Sequence, residues 1–196
     1  MVIRFHKGHV KHVLRLLLVT LLLCSTNVGL TAPQGVFGST SRVTGTEFEG
    51  KIYYIPENSE SLPNFEKIKP VGTIYTDSID IAPRSFVEGF PGVTDRIEWF
   101  GIVYTGTFGI SKPGNYKFKL ISDDGSKLWI DNKQIISNDG IHPPTDVEEN
   151  VLLSSGTHTI RVEYFQGPRD ELALQLFITP ANGDTAIFSI GKYPPK

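Results

Sequence analysis

The chain has almost no cysteine, with Cys24 the single one among its 196 residues. One cysteine cannot form an internal disulfide bond, and it cannot supply the several thiolates of a cysteine-based zinc site. An excess of charge of one sign is also lacking, because 19 Lys and Arg stand against 21 Asp and Glu, for a formal net charge of -2. Without a basic field, the sequence does not favour nucleic acid or anionic lipid as a partner.

The short motifs of common catalytic sites are absent from the sequence as well. It contains no Gly-x-Ser-x-Gly, no His-Glu-x-x-His and no phosphate-binding glycine loop. Glycoside hydrolysis needs two carboxylates facing each other across the bond, about 5–10 Å apart, and the adjacent Asp123 and Asp124 cannot do this on one turn. We therefore predict that the protein is not an enzyme.

A basic stretch followed by an apolar one predicts export. The basic residues near the N-terminus are Arg4, Lys7, Lys11 and Arg15, and the apolar run LLLVTLLLC follows them. An apolar run this short is typical of a secretory signal, and we assign residues 1–32 to a signal peptide. Two alternatives stay open: a lipoprotein signal that ends before Cys24, and a membrane anchor that extends to Val28.

Composition divides the rest of the chain into three parts. Residues 33–46 are small, polar and aperiodic, which predicts a flexible linker. Residues 47–180 carry the patterned segments and are assigned to a single folded domain. Residues 181–196 are assigned to a C-terminal strand or tail.

Within the domain, apolar and polar residues alternate over short segments that Gly, Pro, Asn and Asp interrupt. In NYKFKLIS, one face carries Tyr116, Phe118 and Leu120, and the other carries Lys117 and Lys119. HTIRVEYF and ELALQLFIT show the same period of two, and no amphipathic helix pattern follows the signal. We predict an all-β fold, an antiparallel β-sandwich with about eight to ten strands and little helix.

The order of these motifs resembles the protective-antigen domain family, also called the PA-fourteen domain family. The matching motifs are KPGNYKFKLISDDGS, KLWID, SGTHTIRVEYF and the apolar LALQLFITP, over about Phe48 to Pro180. The resemblance implies a β-sandwich of the kind found in bacterial toxins, glycosidases, fungal adhesins and many exported bacterial proteins. It also implies carbohydrate recognition, the function most often found in this family.

Two adjacent carboxylates, Asp123 and Asp124, are the leading candidate metal ligands. In the fungal adhesin branch, such a pair is joined by a cis peptide bond and holds a Ca²⁺ ion that also takes sugar hydroxyls; the resemblance implies these roles here. Ca²⁺ takes about six to eight oxygen ligands, so sugar hydroxyls can fill positions that the protein leaves open. A second interpretation is hairpin chemistry, in which Asp accepts backbone N–H groups and Gly125 supplies a positive φ.

Five further residues are candidate ligand contacts. Gln166 stands roughly where the adhesins carry a metal-binding Asn, and Asp170 in the same loop could compensate for the different reach of Gln. Trp129 is either a platform for the apolar face of a pyranose or a core residue. Asn138 and Asp139 belong to SNDGIHPPTDVEEN, which we interpret as an acidic loop that could border the same site.

Together, these features predict an exported, non-catalytic, lectin-like module, with Ca²⁺ as its cofactor if the aspartate pair is a metal site. The expected partner is a glycan or cell-surface polysaccharide, and the expected location is the periplasm, the outer envelope or outside the cell. Membrane contact is expected only through the signal or a lipid anchor. The alternative is a protein-interaction or scaffold module of an envelope or secreted assembly, with a protein partner, an exposed apolar patch and no metal or sugar site.

Overall fold

The computed structural model describes three stretches of the chain: residues 38–45, 47–85 and 96–195. All of them belong to one compact unit, Gln34–Lys196. The predicted signal peptide and the start of the predicted linker lie outside the described residues. Within the three described stretches, no helix has the length and apolar character needed to cross a membrane.

The described residues form eleven strands and two short 3-10 turns, which confirms the prediction of an all-β chain with little helix. The turns span Phe65–Lys67 and Ile190–Lys192. The strands are β1 (Phe48–Tyr54), β2 (Gly72–Thr76), β3 (Asp80–Ser85), β4 (Phe100–Ile110), β5 (Gly114–Asp123), β6 (Ser126–Ile130), β7 (Lys133–Asn138), β8 (Thr145–Leu153), β9 (Gly156–Gln166), β10 (Glu171–Thr179) and β11 (Ala186–Ile187).

These strands pair into two antiparallel sheets that form the predicted sandwich. The six-stranded sheet has the order β2-β1-β4-β9-β6-β7, and the five-stranded sheet has the order β11-β10-β5-β8, with β3 also paired to β10. The inward faces bury one large apolar cluster, to which β5 contributes Tyr116, Phe118 and Leu120 as the alternation predicts. Burial of such side chains stabilises the fold by about 1.5–3 kcal/mol each.

The segment that we predicted to be a C-terminal strand or tail belongs to this core. It supplies the short strand β11 and the buried side chains of Phe188 and Ile190. Asp77 fastens the segment, because its carboxylate accepts hydrogen bonds from the Ser189 hydroxyl at 2.5 Å and the Gly191 N–H at 3.0 Å.

A smaller apolar cluster covers part of the outer face of the six-stranded sheet. Tyr53 and Val103 alternate with residues of the main core, so they point away from it. The chain between β1 and β2 folds over them and contributes Ile55 and Phe65. The cover does not include Trp129 of β6, which belongs to the same sheet.

One prediction about the strands was wrong: the acidic segment is not a loop throughout, because β8 begins at Thr145. β8 is an edge strand paired with β5, and Glu148 forms a 3.0 Å ion pair with Lys117 of that strand. Most β8 side chains are exposed and polar. An edge strand of this kind lacks the alternating apolar pattern by which strands are predicted.

His158 of β9 forms an ion pair with the β6–β7 turn. Its Nδ1 lies 2.6 Å from Oδ2 of Asp131, and its Nε2 lies 2.9 Å from the Ser154 carbonyl oxygen. Burial lowers the pKa of His158, but the bonds to Asp131 and Ser154 outweigh it and leave the pKa above its usual value. Burial raises the pKa of Asp131, but the bonds from His158 and Thr159 outweigh it and leave that pKa below its usual value.

We expect this pair to stabilise the fold in a pH-dependent way. Because the pKa of His158 is raised on folding, its contribution is complete below about pH 6.5 and is lost as pH rises through the folded pKa. The Asp131 side chain is 51% exposed, so we expect Asp131→Asn to cost about 1 kcal/mol or less at about pH 5 and less still at about pH 8. Urea unfolding of both proteins across this range measures the difference, and a difference that does not change with pH would contradict the prediction.

Candidate functional site

Asp123 and Asp124 lie where the chain passes from one sheet to the other. Asp123 is the last residue of β5 in the five-stranded sheet, and β6, which begins at Ser126, belongs to the six-stranded sheet. Because β5 and β6 do not pair with each other, Asp-Asp-Gly-Ser is not a hairpin turn. The part of that interpretation in which Asp accepts backbone N–H groups is confirmed at Asp124. The peptide bond between the two aspartates is cis, as the resemblance implies.

Gly125 is required by close packing and not by a positive φ, so the part of the hairpin interpretation that concerns Gly125 is wrong. A Cβ placed on Gly125 would lie 2.4 Å from Cε1 of Phe165 and 2.9 Å from the nitrogen of Gly140. Both distances are well below normal van der Waals separation. A residue without a side chain therefore lets the corner pack against β9 and the loop after β7.

Asp124 is the point at which two loops meet. Its side chain is 3% exposed. Oδ1 accepts a hydrogen bond of 3.2 Å from the backbone N–H of His142, and Oδ2 accepts one of 2.7 Å from that of Gly167. Burial raises the pKa of Asp124, and these two N–H groups oppose the increase. Asp124 thus fixes the loop after β7 and the loop after β9 on the same corner.

The Asp123 carboxylate is also buried, but it lacks hydrogen-bond donors of the kind that Asp124 receives from described residues. Its residue is 5% exposed, and no described residue donates a hydrogen bond to its carboxylate, although its carbonyl oxygen lies 2.7 Å from the Tyr164 hydroxyl. Burial, and then repulsion by Asp124, raise the pKa of Asp123 to about 7. A carboxylate in this position requires either a proton or a cation to balance its charge.

A cleft of about 390 Å³ opens beside the pair, between the loop after β7 and the loop after β9. Its floor is acidic, and part of its wall is apolar. The apolar part is formed by Ile141, Pro143 and Pro168, and the ionisable lining residues are the two aspartates, Asp170, Glu171 and His142. The arrangement offers oxygen atoms at the base of the cleft and carbon surfaces at its side.

The structure brings Asp123, Asp124 and Asp170 to the cleft, and it places Gln166 behind them. Gln166 is fully buried, with Oε1 2.5 Å from the Tyr164 hydroxyl and Nε2 3.4 Å from Oδ2 of Asp124. Its amide oxygen is therefore engaged inside the fold. In this arrangement Gln166 supports Asp124 and is not turned toward the cleft.

Asn138 and Asp139, the candidates from the acidic segment, also serve the surrounding structure. The Asn138 amide donates a 3.0 Å hydrogen bond to the Thr145 carbonyl oxygen. Asp139 accepts one of 2.8 Å from the N–H of Leu62 and forms a 2.6 Å ion pair with Lys127. These contacts hold the loop that forms one wall of the cleft.

Trp129, the remaining predicted contact, lies in a separate pocket on the outer face of β6. The structure also adds contributors that no motif indicated, namely the backbone N–H groups of His142 and Gly167. Every residue except proline carries such a group, so its role depends on the fold and leaves no mark in the sequence.

The groups at the cleft fit a cation that prefers oxygen. In the described part of the chain, no set of three or more His, Cys, Asp or Glu side chains could hold a metal ion by itself. A metal at this corner would therefore depend on Asp123 and Asp124 together with oxygens from the backbone, water or a ligand. His142 also lines the cleft, but its two ring nitrogens face the carbonyl oxygens of Pro143 and Asn138. The donors left for a cation are oxygens, which suit Ca²⁺ better than zinc or copper.

The two sheets and the loop-lined cleft define a β-sandwich module with a site at one corner, where the chain changes sheets. The chain belongs to the PA14 domain family, whose profile matches residues 51–186. This match confirms the family that the order of motifs indicated.

Three individual proteins illustrate the likeness. Anti-sigma-I factor RsgI3 of Acetivibrio thermocellus is 26% identical over 108 residues, which are 55% of this chain and 17% of that protein. An anti-sigma factor domain-containing protein has a TM-score of 0.62 at 20% identity, over 77% of this chain and 49% of that one. A PA14 sugar-binding domain from an RTX adhesin has a TM-score of 0.59 at 15% identity, over 76% and 98% of the two chains.

These comparisons bear on the fold of the domain. The chain covers less than two thirds of both anti-sigma relatives, so the activities of those whole proteins do not transfer with the matched domain. At identities this low, structural likeness shows a shared architecture, and function has to be argued from the site.

Proposed function

We propose that this protein is a non-catalytic carbohydrate-binding module that acts outside the cytoplasm and binds its ligand through Ca²⁺ held by Asp123 and Asp124. The observation that carries the proposal is the Asp123 carboxylate, which is buried beside a second carboxylate and receives no hydrogen bond from the described residues. It lines an open cleft, where a cation has access to it.

The two aspartates differ in how far the fold orients and compensates their carboxylates before an ion binds. Asp124 is already oriented by the N–H groups of His142 and Gly167, so little side-chain freedom would be lost when it binds a metal. Asp123 would gain a positive charge that offsets its burial and the repulsion of Asp124. Bound Ca²⁺ would supply that charge and leave coordination positions for ligand hydroxyls.

The shape and chemistry of the cleft support a sugar as the ligand. Its volume of about 390 Å³ lies in the range of small-molecule pockets, roughly 300–1,000 Å³. Ile141, Pro143 and Pro168 offer carbon surfaces to the C–H groups of a sugar ring, while the acidic floor offers acceptors to its hydroxyls. The adhesin domain with the same architecture is described as sugar-binding, and the predicted signal peptide supports a location outside the cytoplasm.

Calorimetric titration of Ca²⁺ into chelator-treated protein tests the metal site. We expect a dissociation constant in the range of about 10⁻⁶–10⁻³ M for the wild type and its loss in Asp124→Asn. Asp184→Asn is the matched control, because Asp184 is exposed in the turn between β10 and β11. A glycan array with Ca²⁺ and with chelator then tests the ligand class.

Each step has an outcome that contradicts the proposal. If the wild type binds no Ca²⁺, the aspartate pair is not a calcium site. If Ca²⁺ binds but no glycan is retained on the array, the carbohydrate function is wrong, and the protein-interaction alternative takes its place. If glycans bind equally well in chelator, the calcium dependence is wrong.

A further inference from the structure

Trp129 is a large aromatic residue with no place in the apolar clusters of the domain. In β6, Leu128 and Ile130 point into the sandwich, whereas Lys127 and Trp129 point outward. Neither the main core nor the cover over the outer face includes Trp129. The indole is only partly buried, so its position calls for an explanation other than core packing.

Trp129 forms one side of a pocket of about 310 Å³ on this outer face. The other lining residues are polar and come from three parts of the chain: Glu66, Asn132, Arg161 and Glu163. Arg161 stands directly opposite Trp129 in β9, with its guanidinium carbon 5.9 Å from the centre of the indole ring. The pocket shares no lining residue with the aspartate cleft.

The backbone holds this pocket in a defined shape. The register between β6 and β7 shifts between Leu128 and Trp129, and an irregularity of this kind redirects a side chain. Asp131 and Asn132 have φ values of 50° and 62°, the two consecutive positive values of a tight type I′ hairpin turn. Asn132 of this turn lines the pocket together with Trp129.

The charges of the pocket restrict the ligand class. Arg161 Nε donates a 2.9 Å hydrogen bond to Oε1 of Glu163, so its charge is balanced within the pocket. Glu66 leaves a single negative charge in excess. Among the described residues that line the pocket, no further cationic group is present to attract a phosphate, a sulfate or a uronate. The remaining features are a flat aromatic face with hydrogen-bond donors and acceptors around it.

We infer that the Trp129 pocket is a second saccharide site, which binds neutral pyranose units without Ca²⁺. The aromatic face packs against the apolar C–H face of a sugar ring. Arg161, Asn132 and Glu66 are placed to bind its hydroxyls. This site goes beyond the function proposed above, because it uses neither Asp123 nor Asp124 and needs no metal.

Titration of the ¹⁵N-labelled full chain with neutral oligosaccharides in the presence of chelator tests this inference. The probes are cellohexaose, xylohexaose and mannohexaose, and Trp129→Phe assigns the indole N–H resonance of Trp129. We expect this resonance to shift on titration and Trp129→Ala to weaken binding roughly tenfold or more. The matched control is Phe177→Ala, which removes a partly buried aromatic ring beside Lys119 on the five-stranded sheet and should leave binding unchanged.

A second variant, Glu66→Gln, keeps the inference testable if Trp129→Ala does not fold. Because Glu66 is exposed, this substitution should not disturb the fold. We expect Glu66→Gln to weaken oligosaccharide binding a few-fold. The inference is overturned if none of the three probes shifts the Trp129 resonance in chelator. It is also overturned if the shift appears only when Ca²⁺ is added, since the sugar would then be bound at the aspartate cleft. The proposed calcium function fails separately, through loss of Ca²⁺ binding itself.

Discussion

Asp123→Asn is expected to stabilise the metal-free protein above about pH 7 and to remove its response to Ca²⁺. Burial and Asp124 raise the pKa of Asp123 to about 7. The folded protein therefore keeps a proton that the unfolded chain has lost, and stability falls as pH rises from about 4 to about 7. A shift of this size corresponds to at most about 4 kcal/mol at the upper end of the range.

Denaturation at about pH 8, with chelator and with Ca²⁺, measures both effects. In chelator we expect the free energy of unfolding of Asp123→Asn to exceed that of the wild type by about 2–4 kcal/mol. Ca²⁺ should stabilise the wild type and leave Asp123→Asn unchanged. The advantage should shrink toward about pH 4 and vanish below it, where the Asp123 carboxyl of the unfolded wild type becomes protonated as well. Asp184→Asn serves again as the exposed control. A variant less stable than the wild type in chelator would mean that the fold already compensates the Asp123 charge.

Gly125→Ala adds only one methyl group, but we expect it to destabilise the fold strongly. The added methyl group would meet Cε1 of Phe165 at 2.4 Å and the backbone nitrogen of Gly140 at 2.9 Å. The backbone nitrogen of Gly140 cannot move aside as the end of a flexible side chain can. We therefore expect the free energy of unfolding to fall by about 2–4 kcal/mol, at or above the usual range for overpacking. The displacement should also weaken Ca²⁺ binding, because Gly125 follows Asp124 directly.

Gly114→Ala is the matched control for this substitution. Gly114 begins the same strand that Asp123 ends, and the nearest heavy atom to a Cβ placed there is 3.7 Å away. We expect a change within about 0.5 kcal/mol. Urea unfolding and calcium titration of the two variants side by side measure the outcome, and equal stability of both would show that the corner can relax around a methyl group.

Much of the fold could be predicted because the alternating geometry of a β-strand appears in the sequence as a period of two. Tyr116, Phe118 and Leu120 alternate with lysines because successive residues of a strand face opposite sides. Asp131 and Asn132 adopt two positive φ values in succession, a backbone that few residue types tolerate. The order of such motifs identified the family, and the adjacent aspartates identified the corner that carries the cleft.

The features that could be predicted from the sequence are therefore local: strand periods, turn chemistry, the order of motifs and the presence of two neighbouring carboxylates. The tertiary structure decided the rest, because it depends on contacts between residues far apart in the chain. These contacts place the aspartate corner at a change of sheet and turn the Gln166 amide inward. They also leave the Asp123 carboxylate without a hydrogen-bond donor among the described residues. They also set Trp129 in a pocket of its own, since a period of two shows that a side chain faces outward but not what lies beside it.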